Sequence, residues 1–144
     1  MKLMALAKAV LLFVLLVVAN SAIAEQKKTL GGWDVHYMVV STTFLTPEIA
    51  KANGIFRSRF NALVNISVLD AQTQKAQEPA LTGTAKNLLG TQKKLTFKRV
   101  REGEAVYYLA VLPYRDMETY QFNIEIVDGN QQQTLEFSQK LYVD

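Results

Sequence analysis

Alternation of apolar and polar positions dominates the chain beyond residue 33. Phe60, Ala62, Val64, Ile66 and Val68 alternate with Asn61, Leu63, Asn65, Ser67 and Leu69, the period of a strand with one strongly apolar face. Asp34–Leu45 predicts an earlier strand, with Val35, Tyr37 and Val39 on one face and Met38, Val40 and Phe44 on the other. Leu81–Leu89 reads as a weaker strand interrupted by Gly83, and Lys94–Arg101 as a highly charged one that turns at Glu102-Gly103-Glu104. Ala105–Leu112 is apolar on both faces, as a central strand is, and Pro113 ends it. Thr119–Val127 and Gln133–Val143 form a last pair around Asp128-Gly129-Asn130, a hairpin turn signal.

One stretch breaks the strand rhythm. Thr46 can cap a helix, Pro47 suits its first position and Glu48 its first turn, and Gly54 can close it in the left-handed conformation. Pro47–Asn53 allows about two turns, too few to be stable alone, so Ile49 and Ala50 must pack on the following strand. About seven strands with one short helix near residues 47–53 and no βαβ rhythm predict an all-β protein, an immunoglobulin-like antiparallel β-sandwich. Tyr120, ahead of Phe122, holds the place of a tyrosine that in that fold bonds back to the backbone of the preceding corner.

Residues 1–24 read as a cleaved secretory signal peptide: Lys2 and Lys8, an apolar Ala9–Ala19, and Ala22-Ile23-Ala24 at the cleavage site. The uncharged run is shorter than the roughly 20 residues that span a bilayer. With no cysteine, the lipid-anchored route and disulfides are closed. The expected product is one periplasmic, soluble domain, residues 25–144, with Glu25–Gly32 as a loose lead-in and no stable membrane insertion after cleavage. Removing Lys2 and Lys8 from 16 basic residues leaves 14 against 13 acidic ones, a net of +1. That balance, with export, argues against nucleic-acid binding.

The words Ser41-Thr42, Phe44-Leu45, Pro47-Glu48-Ile49-Ala50, Gly54-Ile55, Arg57-Ser58 and Ala62–Leu69 resemble a family of small exported Gram-negative bacterial proteins labelled a domain of unknown function. The resemblance implies an exported single β-domain. It implies no activity and no functional residues.

Chemistry is sparse. His36 is the one histidine, so a zinc site is not expected. Asp34 and His36 share a strand face, yet no serine lies in a nucleophile-elbow pattern. There is no phosphate loop and no calcium-loop spacing. No catalytic residue, metal or cofactor is expected. Two basic features are the binding candidates. Arg57 and Arg59 flank Ser58; alternate strand residues of this kind would clamp a carboxylate or phosphate, or else pair with Glu48 or another surface acid, which is the simpler reading. Lys93, Lys94, Lys98, Arg99 and Arg101, answered by Glu102 and Glu104, would meet an anionic envelope surface or an acidic partner, or simply be a solvated edge strand. The leading expectation is a non-catalytic binding or accessory domain that contacts another cell-envelope protein. The alternative is a small-ligand or glycan-binding domain stacking on Trp33, Tyr107, Tyr108, Tyr114 or Tyr120, and a hydrolase using His36 comes third.

Overall fold

A computed structural model describes residues 26–143; the predicted signal peptide lies outside them. Apolar alternation becomes two antiparallel sheets. In the first, β2 (Trp33–Ser41) buries Val35, Tyr37 and Val39, and β3 (Asn61–Asp70) buries Ala62, Val64, Ile66 and Val68. β7 (Ala105–Pro113) adds Val106, Tyr108, Ala110 and Leu112. With β1 (Gln26–Leu30) and β6 (Lys98–Glu102) at the edges, the order is β1-β2-β3-β7-β6. The second sheet runs β5 (Gln92–Leu95), β4 (Ala80–Asn87), β8 (Glu118–Asp128), β9 (Gln131–Leu141). The order β2-β3-β7-β6 facing β4-β8-β9 is that of an immunoglobulin constant-type sandwich, with β1 and β5 added.

The core lies between the sheets. β8 supplies Tyr120, Phe122, Ile124 and Ile126, all fully buried. Phe122 stacks on Phe137 of β9 with ring centroids 4.6 Å apart, and Phe137 lies 4.4 Å from Tyr37 of β2. This chain of rings joins the sheets, and each aromatic pair adds about 0.5–1.5 kcal/mol beyond its buried area. Gly83 interrupts the pattern of β4 for a packing reason. A Cβ there would stand 3.0 Å from Ile124 Cγ1 and 3.3 Å from the Phe97 ring.

Several expected boundaries move. The lead-in is β1, paired with β2 through a Gly31-Gly32 turn in which Gly31 has φ 59°. The first long strand ends at Ser41, and Thr42–Phe44 forms a 3-10 turn. The charged segment Lys94–Arg101 is not one strand. Its front half, in β5, pairs with β4, and its back half, in β6, pairs with β7; the chain changes sheets at Thr96-Phe97. Continuous charge hid that switch. The helix α1 covers Pro47–Ala52, with Thr46 Oγ1 accepting from Ile49 N at 3.3 Å. Of its two apolar residues, Ala50 is buried and Ile49 is exposed. Phe60 precedes β3 and is half exposed rather than continuing its inner face. Tyr120 is buried at the start of β8 as the fold requires, but its hydroxyl reaches no backbone acceptor. Burial first, then the Glu118 carboxylate, pushes its phenol pKa upward.

Candidate functional site

Strand register sorts the connections into two ends. Ser41, Asn61, Asn87, Pro113, Glu118 and Leu141 terminate their strands at one end. That end therefore carries the β2–β3 crossover (42–60), the β4–β5 turn (88–91), the β7–β8 loop (114–117) and residues 142–143. We call it the loop end. The hairpins 31–32, 103–104 and 129–130, with the β3–β4 connection 71–79, form the opposite turn end.

Side chains at the loop end tie these segments together. Thr42 is fully buried; its Oγ1 donates to Ser58 O and accepts from Ser58 N, both at 2.8 Å. Arg57 Nη2 donates to Thr43 O at 3.1 Å. Tyr114 N donates to Phe60 O, and Tyr114 Oη to Tyr142 O, both at 2.9 Å. Asn87 Nδ2 donates to Glu118 Oε2 at 3.1 Å, and Lys93 Nζ to Pro113 O at 2.7 Å. Val143 N donates to Asp116 Oδ1 at 2.9 Å.

On this braced base stand apolar side chains that face water. Ten large apolar residues are exposed among the described residues, and eight belong to the loop end: Phe44, Ile49, Phe56, Phe60, Leu88, Leu89, Met117 and Tyr142. Leu89 is 92% exposed, Leu88 84% and Phe56 79%. The sequence pattern predicts that Leu88 and Leu89 continue a strand. The strand instead stops at Asn87, whose side-chain oxygen accepts from the N–H groups of Leu89 and Thr91 and folds a turn before Gly90. A groove of about 470 Å³ opens beside Phe44 and Tyr142, between β2 and the end of β9.

The charges divide between the ends too. Lys51, Arg57, Arg59 and Arg115 stand in the loop-end segments against Glu48 and Asp116, and all six are exposed. Around the turn end stand Asp70, Glu78, Glu102, Glu104 and Asp128, against Lys75 and Arg101. Glu78 holds Arg101 in a hydrogen-bonded ion pair and Arg99 at 3.6 Å, and the Arg101 bond is the main reason its carboxyl lies below the ordinary value.

The sequence-predicted basic residues do not gather in one place. Arg57 and Arg59 lie at the loop end, but β3 begins only at Asn61, so the alternation of a strand does not aim them together. Arg57 is tied to Thr43 O, and Arg59 lies over the Phe60 ring at 5.1 Å. Lys94 lines a depression on the second sheet beside Thr84 and Glu125. Lys98, Arg99 and Arg101 are on β6 in the first sheet; Lys98 Nζ donates to Asn53 O at 3.2 Å. Glu78, rather than Glu102 or Glu104, answers the two arginines.

Asp34 and His36 do share a face of β2. Asp34 accepts from Thr29 Oγ1 at 2.7 Å and Gln74 Nε2 at 2.9 Å, and those bonds hold its pKa below the ordinary range. Ser67, opposite His36 in the register, donates its hydroxyl to Val106 O at 3.0 Å. Of the aromatics considered for stacking, Trp33, Tyr108, Tyr114 and Tyr120 are buried in the core and Tyr107 is half-buried. No group of three or more His, Cys, Asp or Glu able to hold a metal ion exists among the described residues. No helix among them is long and apolar enough to cross a membrane.

The chain is similar to a crystallised protein from Pseudomonas aeruginosa PAO1. Identity is 36%, the TM-score is 0.75, and the match covers 83% of this chain and 96% of that one. Two structures of FetP from uropathogenic Escherichia coli strain F11 share the fold. One is a copper-bound variant, with TM-score 0.58, 14% identity and coverage of 82% and 95%. The other is the protein as isolated after expression in the periplasm, with TM-score 0.54, 15% identity and coverage of 82% and 92%. No match was found among curated proteins. The Pseudomonas protein is a member of the DUF4426 family, and that family's own model matches residues 27–144 here. The chain therefore belongs to the DUF4426 family, a domain of unknown function.

Proposed function

We propose that this protein is a non-catalytic binding domain of the cell envelope, exported to the periplasm, which attaches to its target through the loop end. The observation that carries the reading is the concentration of exposed Phe, Leu, Ile, Met and Tyr there, on segments held in place by hydrogen bonds. Exposed apolar residues scattered singly need no explanation, but eight gathered on the segments of one end mark an interaction surface. The leader-like residues 1–24 support export.

Copper is not carried over from FetP. Low identity makes that likeness one of fold alone, and the donors here do not fit: one histidine, no cysteine and no acidic cluster among the described residues. Soft copper sites draw on several imidazole, thiolate or thioether ligands.

Crosslinking in intact cells tests the attachment surface. Phe56→Ser with Leu88→Ser and Leu89→Ser is expected to abolish the protein's association with the envelope while the fold survives. Association unchanged in that variant would refute the loop end as the site of attachment. The companion pair Arg57→Ala and Arg59→Ala is expected to weaken association without lowering the melting temperature appreciably.

A further inference from the structure

We propose that the loop end docks on the surface of an anionic lipid bilayer, with its apolar tips in the headgroup region and its cations against lipid phosphates. This rests on reading the loop end as the attachment surface and names what it attaches to.

Three observations favour a bilayer over a protein groove. First, the most exposed side chains stand on separate connections. Leu88, Leu89, Phe56, Phe44 and Met117 come from three connections separated in sequence, and each is 60% exposed or more. Independent tips entering a fluid interface need no matching pockets, whereas a rigid partner would have to supply one for each. Second, the residue types suit the interfacial zone, where aromatic rings sit at headgroup level and aliphatic chains reach just below. Third, charge is complementary. Lys51, Arg57, Arg59 and Arg115 outnumber Glu48, Asp116 and the half-buried Glu118, while at the turn end, on the far side of the sandwich, the five carboxylates outnumber Lys75 and Arg101. An anionic surface attracts the first set and repels the second, so the field presents the loop end before contact. The strands then stand away from the membrane.

The test is flotation of the protein as cells produce it, its N-terminus read by mass spectrometry, with vesicles of phosphatidylethanolamine and phosphatidylglycerol. Vesicles of phosphatidylcholine alone serve for comparison. Binding is expected to the anionic vesicles, and to fall with added salt as screening sets in. Phe56→Ser with Leu88→Ser and Leu89→Ser, sharing the same N-terminus, should weaken it by about tenfold or more, since three apolar side chains lose their burial. Arg57→Glu with Arg59→Glu should abolish the preference for phosphatidylglycerol and leave circular dichroism unchanged. Wild type that ignores anionic vesicles at low salt overturns the proposal. So does a triple variant that is folded and binds like wild type. If vesicles fail while cellular crosslinks to an envelope protein are lost in the triple variant, the loop end stands as the attachment surface and its lipid assignment falls. If the triple variant matches wild type in both assays, both fall.

Discussion

At the turn end the chain reverses through Gly31, Gly103 and Gly129, each in the left-handed region, with φ of 59°, 60° and 58°. These hairpins are short and polar. At the loop end it spends residues 42–60 on one connection, passing through a 3-10 turn and α1 before β3 begins. Both ends are ordered, and both use left-handed glycines and side-chain bonds to backbone; Gly54 and Gly90 lie at the loop end, and Asp70 and Tyr108 bond to backbone at the turn end. They differ in how far the chain travels: two-residue hairpins at the first, a long crossover anchored on buried Thr42 at the second. The lesson concerns exposure. The apolar side chains of the loop end are not exposed through fraying, because their backbone is tied, and that order is what supports the proposal of a binding surface there.

The largest effect should come from loosening the brace. Thr42→Val keeps the shape but strips both Ser58 backbone groups of their buried partner, at a cost of about 2–4 kcal/mol in urea unfolding. An unchanged midpoint would break the contrast between the ends. Tyr108→Phe probes the other side. Its Oη donates to Pro79 O at 2.6 Å inside the β3–β4 connection, and losing that bond should cost about 1–2 kcal/mol. Thr46→Ala removes the cap of α1 and is expected to cost about 1 kcal/mol. A loss well above that would mean that α1 supports the whole crossover.

Smaller still is Glu78→Gln at the exposed turn end. Glu78's folded pKa lies below its ordinary 4.5, so its contribution is present above that value and is lost as pH falls through the folded one. The melting-temperature gap between wild type and variant should thus be small at neutral pH and close below 4.5. A gap that persists in acid would show that the effect is packing and not charge. Least of all, Phe56→Ser with Leu88→Ser and Leu89→Ser should leave stability within about 0.5 kcal/mol per site, as exposed positions do. A large destabilisation would mean that the tips are structural.

The inner faces were legible because burial imposes a period of two on β2, β3, β7 and β8. Thr46, Pro47 and Gly54 announced α1 through capping chemistry, which is local. The hidden features were set by distant partners. Nothing within residues 94–101 says that Leu95 belongs to one sheet and Val100 to the other; that depends on β4 and β7. Leu88-Leu89 continues an apolar pattern and so reads as strand, although Asn87 and Gly90 carried the turn signal. The grouping of Phe44, Phe56, Leu88 and Met117 depends on which strand ends coincide, and that is a property of topology. Alternate spacing makes Arg57 and Arg59 read as a pair, but both lie before β3, and Thr43 O and the Phe60 ring, which the spacing does not reveal, fix where each goes.

The pairing of β3 with β7, and of β4 with β8, has a consequence for the chain's history. Each joins partners some forty residues apart, with other strands made in between. Loop closure over such distances must precede any reward from contact, which places folding among the slower, millisecond-to-second, β-sandwich class. A chain made from its N-terminus delivers β2 and β3 first, with Val35, Tyr37, Val64 and Ile66 bare until β7 and β8 arrive. That interval, rather than the finished domain, is when this protein is most exposed to aggregation and to proteases.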